Sequence, residues 1–264
     1  MNRRARVKPD SAQDGSKENI TCSRDMERRA DKVYKLFAFL APIYDIVHDV
    51  IFFGVHRIWR NRLVTLLNPG ENTKLVDMAG GTGDIAFRVL NYAKKRKIKN
   101  CHVTVCDINQ PMLEAGKART KGVPDYEAME WVKDDAEYSA FPDNCFTAYT
   151  IAFGIRNCTH YDKVLEEAHR ILQPGGKFLC LEAFRAEGTI FIWLHDFFYG
   201  KVYPVLECII TWRKPRFTSF LAETLEDLPD KDNFKVMMEE AGFKNVTYET
   251  LFFGLMTIHI GNKE

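Results

Sequence analysis

Between residues 31 and 67 apolar side chains return at helical spacing: Val33, Leu36, Phe37 and Leu40, then Val55, Ile58, Trp59, Leu63 and Leu66. With breaks at Pro42 and Gly54, this predicts two or three helices. After Leu67 the period changes. Short apolar runs predict strands at Lys74–Met78, His102–Cys106, Glu130–Lys133, Ala148–Phe153 and Lys177–Glu182. Asp84–Lys95, Pro111–Thr120 and Tyr161–Leu172 read as helices between them, and Pro174-Gly175-Gly176 as a turn before the fifth strand. Strands alternating with helices imply right-handed crossovers and a parallel sheet. A last helix, Lys231–Ala241, is stopped by Gly242, and strands Val246–Leu251 and Leu255–Gly261 are expected to close the sheet as a hairpin. The expected fold is α/β, a doubly wound seven-stranded sheet preceded by helices.

Residues 1–26 carry no hydrophobic period and are rich in Ser, Asp, Lys and Arg, which predicts a disordered tail or a targeting segment. Arg3, Arg4 and Arg6 suit an organelle presequence, whereas Asp10, Asp14 and Glu18 do not. Residues 27–264 read as one domain, with a helical insertion over about 184–229 as a lid. The most aromatic stretch, Phe191–Trp212, is interrupted by His195, Asp196, Lys201, Pro204 and Glu207, so no bilayer-crossing segment is expected. Half of that stretch suits core packing and half suits an apolar tunnel wall.

Charge narrows the partners. Lys and Arg total 37 against 36 acidic residues, a net charge of +1, which gives no global electrostatic reason for nucleic acid binding. The seven cysteines form no CxxC pair, and His56, His160 and His169 have no ligand spacing, so reduced thiols and no metal are expected. His48 and Asp49 adjoin on a helix and therefore point to different faces, which argues against a dyad.

The sharpest local signal is LVDMAGGTGD, Leu75–Asp84: an apolar strand, an acid at its end, a glycine turn, then a helix. A turn built from Gly80, Gly81 and Gly83 lets a nucleoside lie against the backbone at the carboxyl edge of the sheet. By itself Gly81–Ala86 also matches a dinucleotide fingerprint. Asp77 favours a cationic ligand, a sulfonium with an amino group, over a pyrophosphate, which needs N–H donors. Asp107 ends the next strand at the separation, roughly 20 residues past the loop, at which an acid meets ribose hydroxyls. Asp134-Asp135-Ala136 ends the third strand, where a carboxylate or amide can reach an adenine edge.

The segments LVDMAGGTGDIAFR, VCDINQPML, FGIRNCTH and EEAHRILQPGGKFLCLE, with YDIVHDVIFFGVHRIWR (Tyr44–Arg60) before them and AGFKNVTYETL after them, resemble the ubiquinone/menaquinone biosynthesis C-methyltransferase family over about residues 32–261. The resemblance implies a class I, Rossmann-like S-adenosylmethionine-dependent methyltransferase that C-methylates a prenylated benzoquinol. By position it implies that Thr82, Asp107, Asp135 and Ala136 contact S-adenosylmethionine, with Asp77, Gly81 and Gly83 shaping the pocket. It puts Tyr44, Arg156 and Asn157 beside the acceptor. Arg156, which stays protonated, would stabilise a developing phenolate or polarise a water, and Asn157 and Tyr44 would hold that water or the hydroxyl. A simpler role for Arg156 is pairing with an acidic neighbour at the sheet edge. His48 stands where the family usually has Asn, and residues 183–184 and 213–229 also depart from it.

The resemblance further implies the matrix face of the mitochondrial inner membrane, or else the cytoplasm, with a quinone-biosynthesis complex, peripheral membrane contact and a homodimer as associations. Rival readings are a methyltransferase for another aromatic or polyketide-like acceptor, a non-catalytic scaffold of a quinone-synthesis complex, and an NAD-dependent oxidoreductase.

Overall fold

The computed structural model describes residues 30–126, 129–184, 197–211, 218–220, 224, 228–252 and 254–264. The expected tail over 1–26 and much of the expected lid over 184–229 lie outside the described residues. Helix α1 spans 30–40, and the chain turns at 41–43 into α2, Tyr44–Ile51. Gly54 (φ +71°) turns it again into α3, His56–Leu67. Both breaks fall where Pro42 and Gly54 predict them.

Seven strands follow: β1 Lys74–Met78, β2 His102–Asp107, β3 Met129–Lys133, β4 Phe146–Ala152, β5 Leu172–Ala183, β6 Lys244–Leu251 and β7 Met256–Asn262. Helices α4 (Asp84–Arg96), α5 (Gln110–Thr120) and α6 (Tyr161–Ile171) are in the crossovers. Helix α7, Tyr203–Thr211, follows a π-helical turn at Phe198–Val202, and α8, Lys231–Glu240, is capped by Asp230, whose carboxylate accepts from the amides of Asp232 and Asn233. The sheet order is β3-β2-β1-β4-β5-β7-β6. The first five strands are parallel and β7 runs antiparallel to both β5 and β6, so the closing hairpin is present.

One expected turn is displaced. Residues Pro174-Gly175-Gly176 do not precede β5 but bulge out of it: Phe146 pairs with Leu172 and Ala148 with Lys177, with the extra residues between. The chain end secures the bulge, because Gly175 N–H donates to the carbonyl of Lys263 at 2.7 Å and Lys263 N–H to that of Gly176 at 2.9 Å. A proline and a positive-φ glycine fit a bulge as well as a turn.

Alternation along each strand feeds two apolar layers. Leu75, Val103, Val105, Leu179 and Leu181 pack against α1–α4, chiefly Leu40, Val47, Ile51, Leu63 and Ala86. Val76, Met78, Tyr149, Phe178 and Cys180 pack against Val164, Leu165 and Ala168 of α6 and Phe234 and Met238 of α8. Strand order reverses between β1 and β4, so a crevice opens outside their carboxyl ends.

Candidate active site

A cavity of about 240 Å³ occupies that crevice. Its wall includes Asp77, Gly80, Gly81, Thr82, Asp107, Asp135 and Ala136 from the ends of β1–β3, and Tyr44, Phe153 and Asn157 facing them. The three acidic strand ends expected from the sequence therefore converge on one space.

The glycine loop is built for close approach. The amide of Gly80 donates to the carbonyl of Cys106 at 2.9 Å, and a Cβ on Gly80 would lie 2.7 Å from the carbonyl oxygen of Asp77. Gly81 (φ +54°) donates its N–H to Oδ2 of Asp107 at 2.9 Å, while Asn109 N–H reaches Oδ1 at 2.7 Å. Burial raises the Asp107 carboxyl to about 6 against those two bonds. Gly83 plays another part than expected: it is absent from the cavity wall, and at φ +80° its missing Cβ makes room for the Trp131 ring, which such an atom would meet at 2.7 Å. It serves helix-to-sheet packing.

Asp77 carries the clearest demand for a ligand. Its Oδ1 accepts from the hydroxyl of Thr150 at 2.8 Å, but Oδ2 is buried with no partner. Desolvation raises its pKa to about 7, with Thr150 and the charge of Arg60 opposing. A cationic amine would complete this carboxylate. Asp134, by contrast, is spent within its own loop, accepting from the amides of Asp135 and Ala140 and the hydroxyl of Ser139. Asp135 accepts from the amide of Glu137 at 2.9 Å. Thr82 donates its hydroxyl to Asp45 of α2 at 2.9 Å, and Arg119 holds the other oxygen of Asp45 at 2.7 Å.

The wall that faces the strand ends is assembled differently. Tyr44 is in the wall, with burial raising its phenol pKa. Asn157, in a short 3-10 turn at Ile155–Asn157, also lines the cavity, and its Oδ1 is buried without a partner. Arg156 does not line it. The side chain is buried behind the wall, its Nη1 3.4 Å from Oε1 of the fully buried Glu182, so the expected acidic neighbour is present. The pair is incomplete, since Nε and Nη1 of Arg156 and Oε2 of Glu182 have no hydrogen-bond partner. The charge of Arg156 still acts on Tyr44 and His48.

Several residues here had no role in the sequence reading. Val33, Tyr34 and Phe37 of α1 roof the cavity, and Asn109 fastens that helix by donating to the carbonyl of Tyr34 at 2.8 Å. Arg60 of α3 reaches the wall, paired with Asp84 at 2.6 Å and 5.5 Å from the centre of the Phe153 ring. A signal existed: Arg60, Val64 and Leu67 share the buried helical face. Glu137 ties the two walls together, its carboxylate accepting from the amides of Thr159 (2.5 Å) and His160 (3.1 Å) and lying 2.8 Å from Nδ1 of His160. Asp49 turns outward to Arg57 and to His56, 3.3 Å away, rather than to its neighbour His48, whose ring stacks between Tyr44 and His56.

Comparison with known proteins adds the family. Residues 25–263 match the ubiE/COQ5 methyltransferase family. The chain belongs to that family. Among relatives, the mitochondrial 2-methoxy-6-polyprenyl-1,4-benzoquinol methylase of Drosophila melanogaster is 43% identical over 91% of this chain and 82% of its own length. The enzymes of the same name from Bos taurus and Homo sapiens are 40% and 39% identical, each over 90% of this chain, covering 80% and 81% of their own lengths. Of solved structures, an S-adenosylmethionine-dependent methyltransferase from Thermotoga maritima superimposes with a TM-score of 0.57 at 19% identity, over 88% of this chain and 99% of that one. A Haemonchus contortus phosphoethanolamine N-methyltransferase in complex with S-adenosylmethionine gives 0.56 at 15% identity, over 78% and 52%. These distant likenesses establish the class I methyltransferase fold. As a member of the ubiE/COQ5 family the protein is a methyltransferase with S-adenosylmethionine as methyl donor, so the oxidoreductase and scaffold readings fall away.

Proposed function

We propose that the protein C-methylates the ring of a 2-methoxy-6-polyprenyl-1,4-benzoquinol, the acceptor named for its relatives, as a step in ubiquinone synthesis. The observation that carries this is the cavity at the strand-order reversal, with the unpartnered Oδ2 of Asp77 on one wall and Tyr44 and Asn157 on the other.

S-adenosylmethionine supplies an electrophilic methyl group, and the ring carbon exchanges its proton for that methyl. The residues then divide the work. Asp77 binds the amino end, Asp107 the ribose, and Asp135 and Ala136 the adenine edge, while Gly81 and Thr82 let the nucleoside approach the backbone. Tyr44 and Asn157 orient the ring hydroxyl within a closed wall. Arg156 lies behind them and favours the phenolate by its field, lowering the cost of removing the hydroxyl proton. It cannot take that proton itself.

The lid belongs to the same reading. Tyr203 of the insertion packs on Phe52 with ring centres 5.8 Å apart, and Phe220 meets Phe37, a cavity-wall residue, at 6.2 Å. Those contacts support a role for about 184–229 in covering the acceptor. A prenylated acceptor dissolves in a membrane, and the relatives are named mitochondrial. The proposal therefore extends to work at the matrix face of the inner membrane, where such an acceptor would be reached. Among the described residues no helix is long and apolar enough to cross a membrane.

The test is mass detection of methyl transfer to a short-tailed 2-methoxy-6-prenyl-1,4-benzoquinol kept reduced. Transfer to the ring carbon supports the proposal. Tight binding of S-adenosylhomocysteine without transfer would move the acceptor to another aromatic or polyketide-like compound, the class that the Ala183-Phe184 and 213–229 departures leave open.

A further inference from the structure

The charges around the cavity are unequal. Six carboxylates line it, those of Asp77, Asp84, Asp107, Asp134, Asp135 and Glu137, against a single guanidinium, Arg60, among the described residues. The methyl donor itself carries two positive centres, sulfonium and ammonium, and one negative centre, the carboxylate of its methionyl end. The acidic wall suits the former. Something must meet the carboxylate, because a buried anion without a partner is costly.

The glycine loop is already engaged. The amide of Gly80 donates to Cys106, that of Gly81 to Asp107 and that of Gly83 to Gly80. Asp84, in the first turn of α4, adds a negative charge there. Arg60 is the opposite case. Among the described residues its side chain makes one hydrogen bond, Nη1 to Oδ2 of Asp84 at 2.6 Å, although a guanidinium offers five N–H donors in a fork that matches a carboxylate. Its side chain is only 8% exposed, yet none of its nitrogens is among the buried atoms lacking a partner, in contrast to Nε and Nη1 of Arg156. Nε and Nη2 therefore keep access rather than being sealed in, and the cavity is a space that Arg60 lines. Asp84 is shared with Arg88 at 3.1 Å, and Phe153 lies against the guanidinium, so the fork is held by neighbours before any ligand arrives.

Resting on the methyl-donor reading above, we infer that Arg60 binds the methionyl carboxylate of S-adenosylmethionine, opposite Asp77 on its ammonium group. The pair then reads the amino-acid end of the ligand as a zwitterion. This gives α3 a reason to be fastened against the loop, and it lets the site discriminate adenosyl thioethers that keep the carboxylate from those that lack it.

A ligand-truncation cycle tests the assignment without any turnover. Calorimetry would compare S-adenosylhomocysteine with its decarboxylated analogue, which keeps the amine, on the wild type, Arg60→Met and Arg60→Lys. Removing charge-assisted hydrogen bonds is expected to weaken S-adenosylhomocysteine roughly 10- to 100-fold in Arg60→Met. The decarboxylated analogue should lose less than about threefold, so that the preference of the wild type for the carboxylate disappears. Arg60→Lys, which keeps the charge and loses the fork, should fall between, and it decides the matter if Arg60→Met does not fold.

Equal losses for both ligands would overturn the inference and leave Arg60 as a structural partner of Asp84. Unchanged affinity for both would overturn it as well and turn the guanidinium toward the acceptor. A wild type that binds neither ligand removes the methyl-donor reading itself, and the inference with it. Binding of S-adenosylhomocysteine by the wild type separates that failure from the other two.

Discussion

The two walls of the cavity solve different problems. On the side built from the ends of β1 to β3, the polar groups are mostly bonded to nearby backbone: Asp107 holds two amides, Asp134 two amides and a hydroxyl, and among the described residues there Oδ2 of Asp77 is the atom buried without a partner. On the facing side and behind it, Arg156, Asn157, Glu182, His48 and His56 each contain a buried polar atom with no partner. His48 and His56 are held neutral there, with His56 lowered to about 4 by burial and by Arg60. Unmet polar atoms of this kind cost roughly 1–3 kcal/mol each. Of these residues Asn157 lines the cavity, so its Oδ1 and Oδ2 of Asp77 are the unmet atoms that a ligand there could reach, while Arg156, Glu182, His48 and His56 lie behind the wall.

Removing the charge behind the facing wall should cost the most in rate if the proposed function holds. Arg156→Ala is expected to lower kcat by about 100-fold or more, with affinity for S-adenosylhomocysteine within a few-fold. Steady-state kinetics beside calorimetry would check this, and a loss carried by cofactor affinity instead would move Arg156 to the donor wall.

The next effect falls on folding. Gly83→Ala puts a Cβ at φ +80° and against Trp131, and should destabilise the protein on the order of 2 kcal/mol in urea unfolding. A change below about 0.5 kcal/mol would mean the β3 end yields more readily than its packing implies.

Asp77→Asn sharpens the donor side. With its carboxyl raised to about 7, the ligand-free wild type keeps this residue's stabilising share below the ordinary carboxylate range and loses it as pH rises through 7. Ligand affinity runs the other way: an ammonium group favours the ionised form, so S-adenosylhomocysteine should bind about tenfold more tightly at pH 8 than at pH 6. The charges facing Asp77 are Arg60, Asp84 and Asp107. In Asp77→Asn that pH dependence should flatten, and a slope kept in full would assign it to Asp107 instead.

The smallest effect lies away from both walls. The hydroxyl of Tyr149 is buried in the α6-facing layer with no hydrogen-bond partner, so Tyr149→Phe should leave stability within about 0.5 kcal/mol or raise it. A loss well above 1 kcal/mol by thermal unfolding would reveal a partner for that hydroxyl.

Much of this was legible because it is local. The seven strands overlap the hydrophobic pattern, most plainly β1, β2 and β4, because a strand buried on both faces must be apolar whatever lies beyond it, and less plainly the half-exposed edge strands β3 and β6. The loop Gly80–Gly83 and the acids Asp77, Asp107 and Asp135 were readable for a related reason. Each ends a strand, and parallel topology brings strand ends to one edge. Gly83 sits in the expected loop, but its contact is Trp131, a residue on β3 that no local pattern names.

The sequence by itself determined the order of elements, the family through its four central motifs, and the glycine loop and acids at the ends of β1 to β3, because period, turn chemistry and strand ends are short-range properties. Tertiary structure alone decided the partners. Arg156 meets Glu182 across two strand ends, Arg60 comes from α3 to meet Asp84 and the cavity, Asn109 pins α1 as a roof, and Glu137 clips one loop to another. Those pairings depend on which segments the sheet order brings within a few ångströms. Composition and spacing carry no record of that distance until β1 and β4 lie side by side.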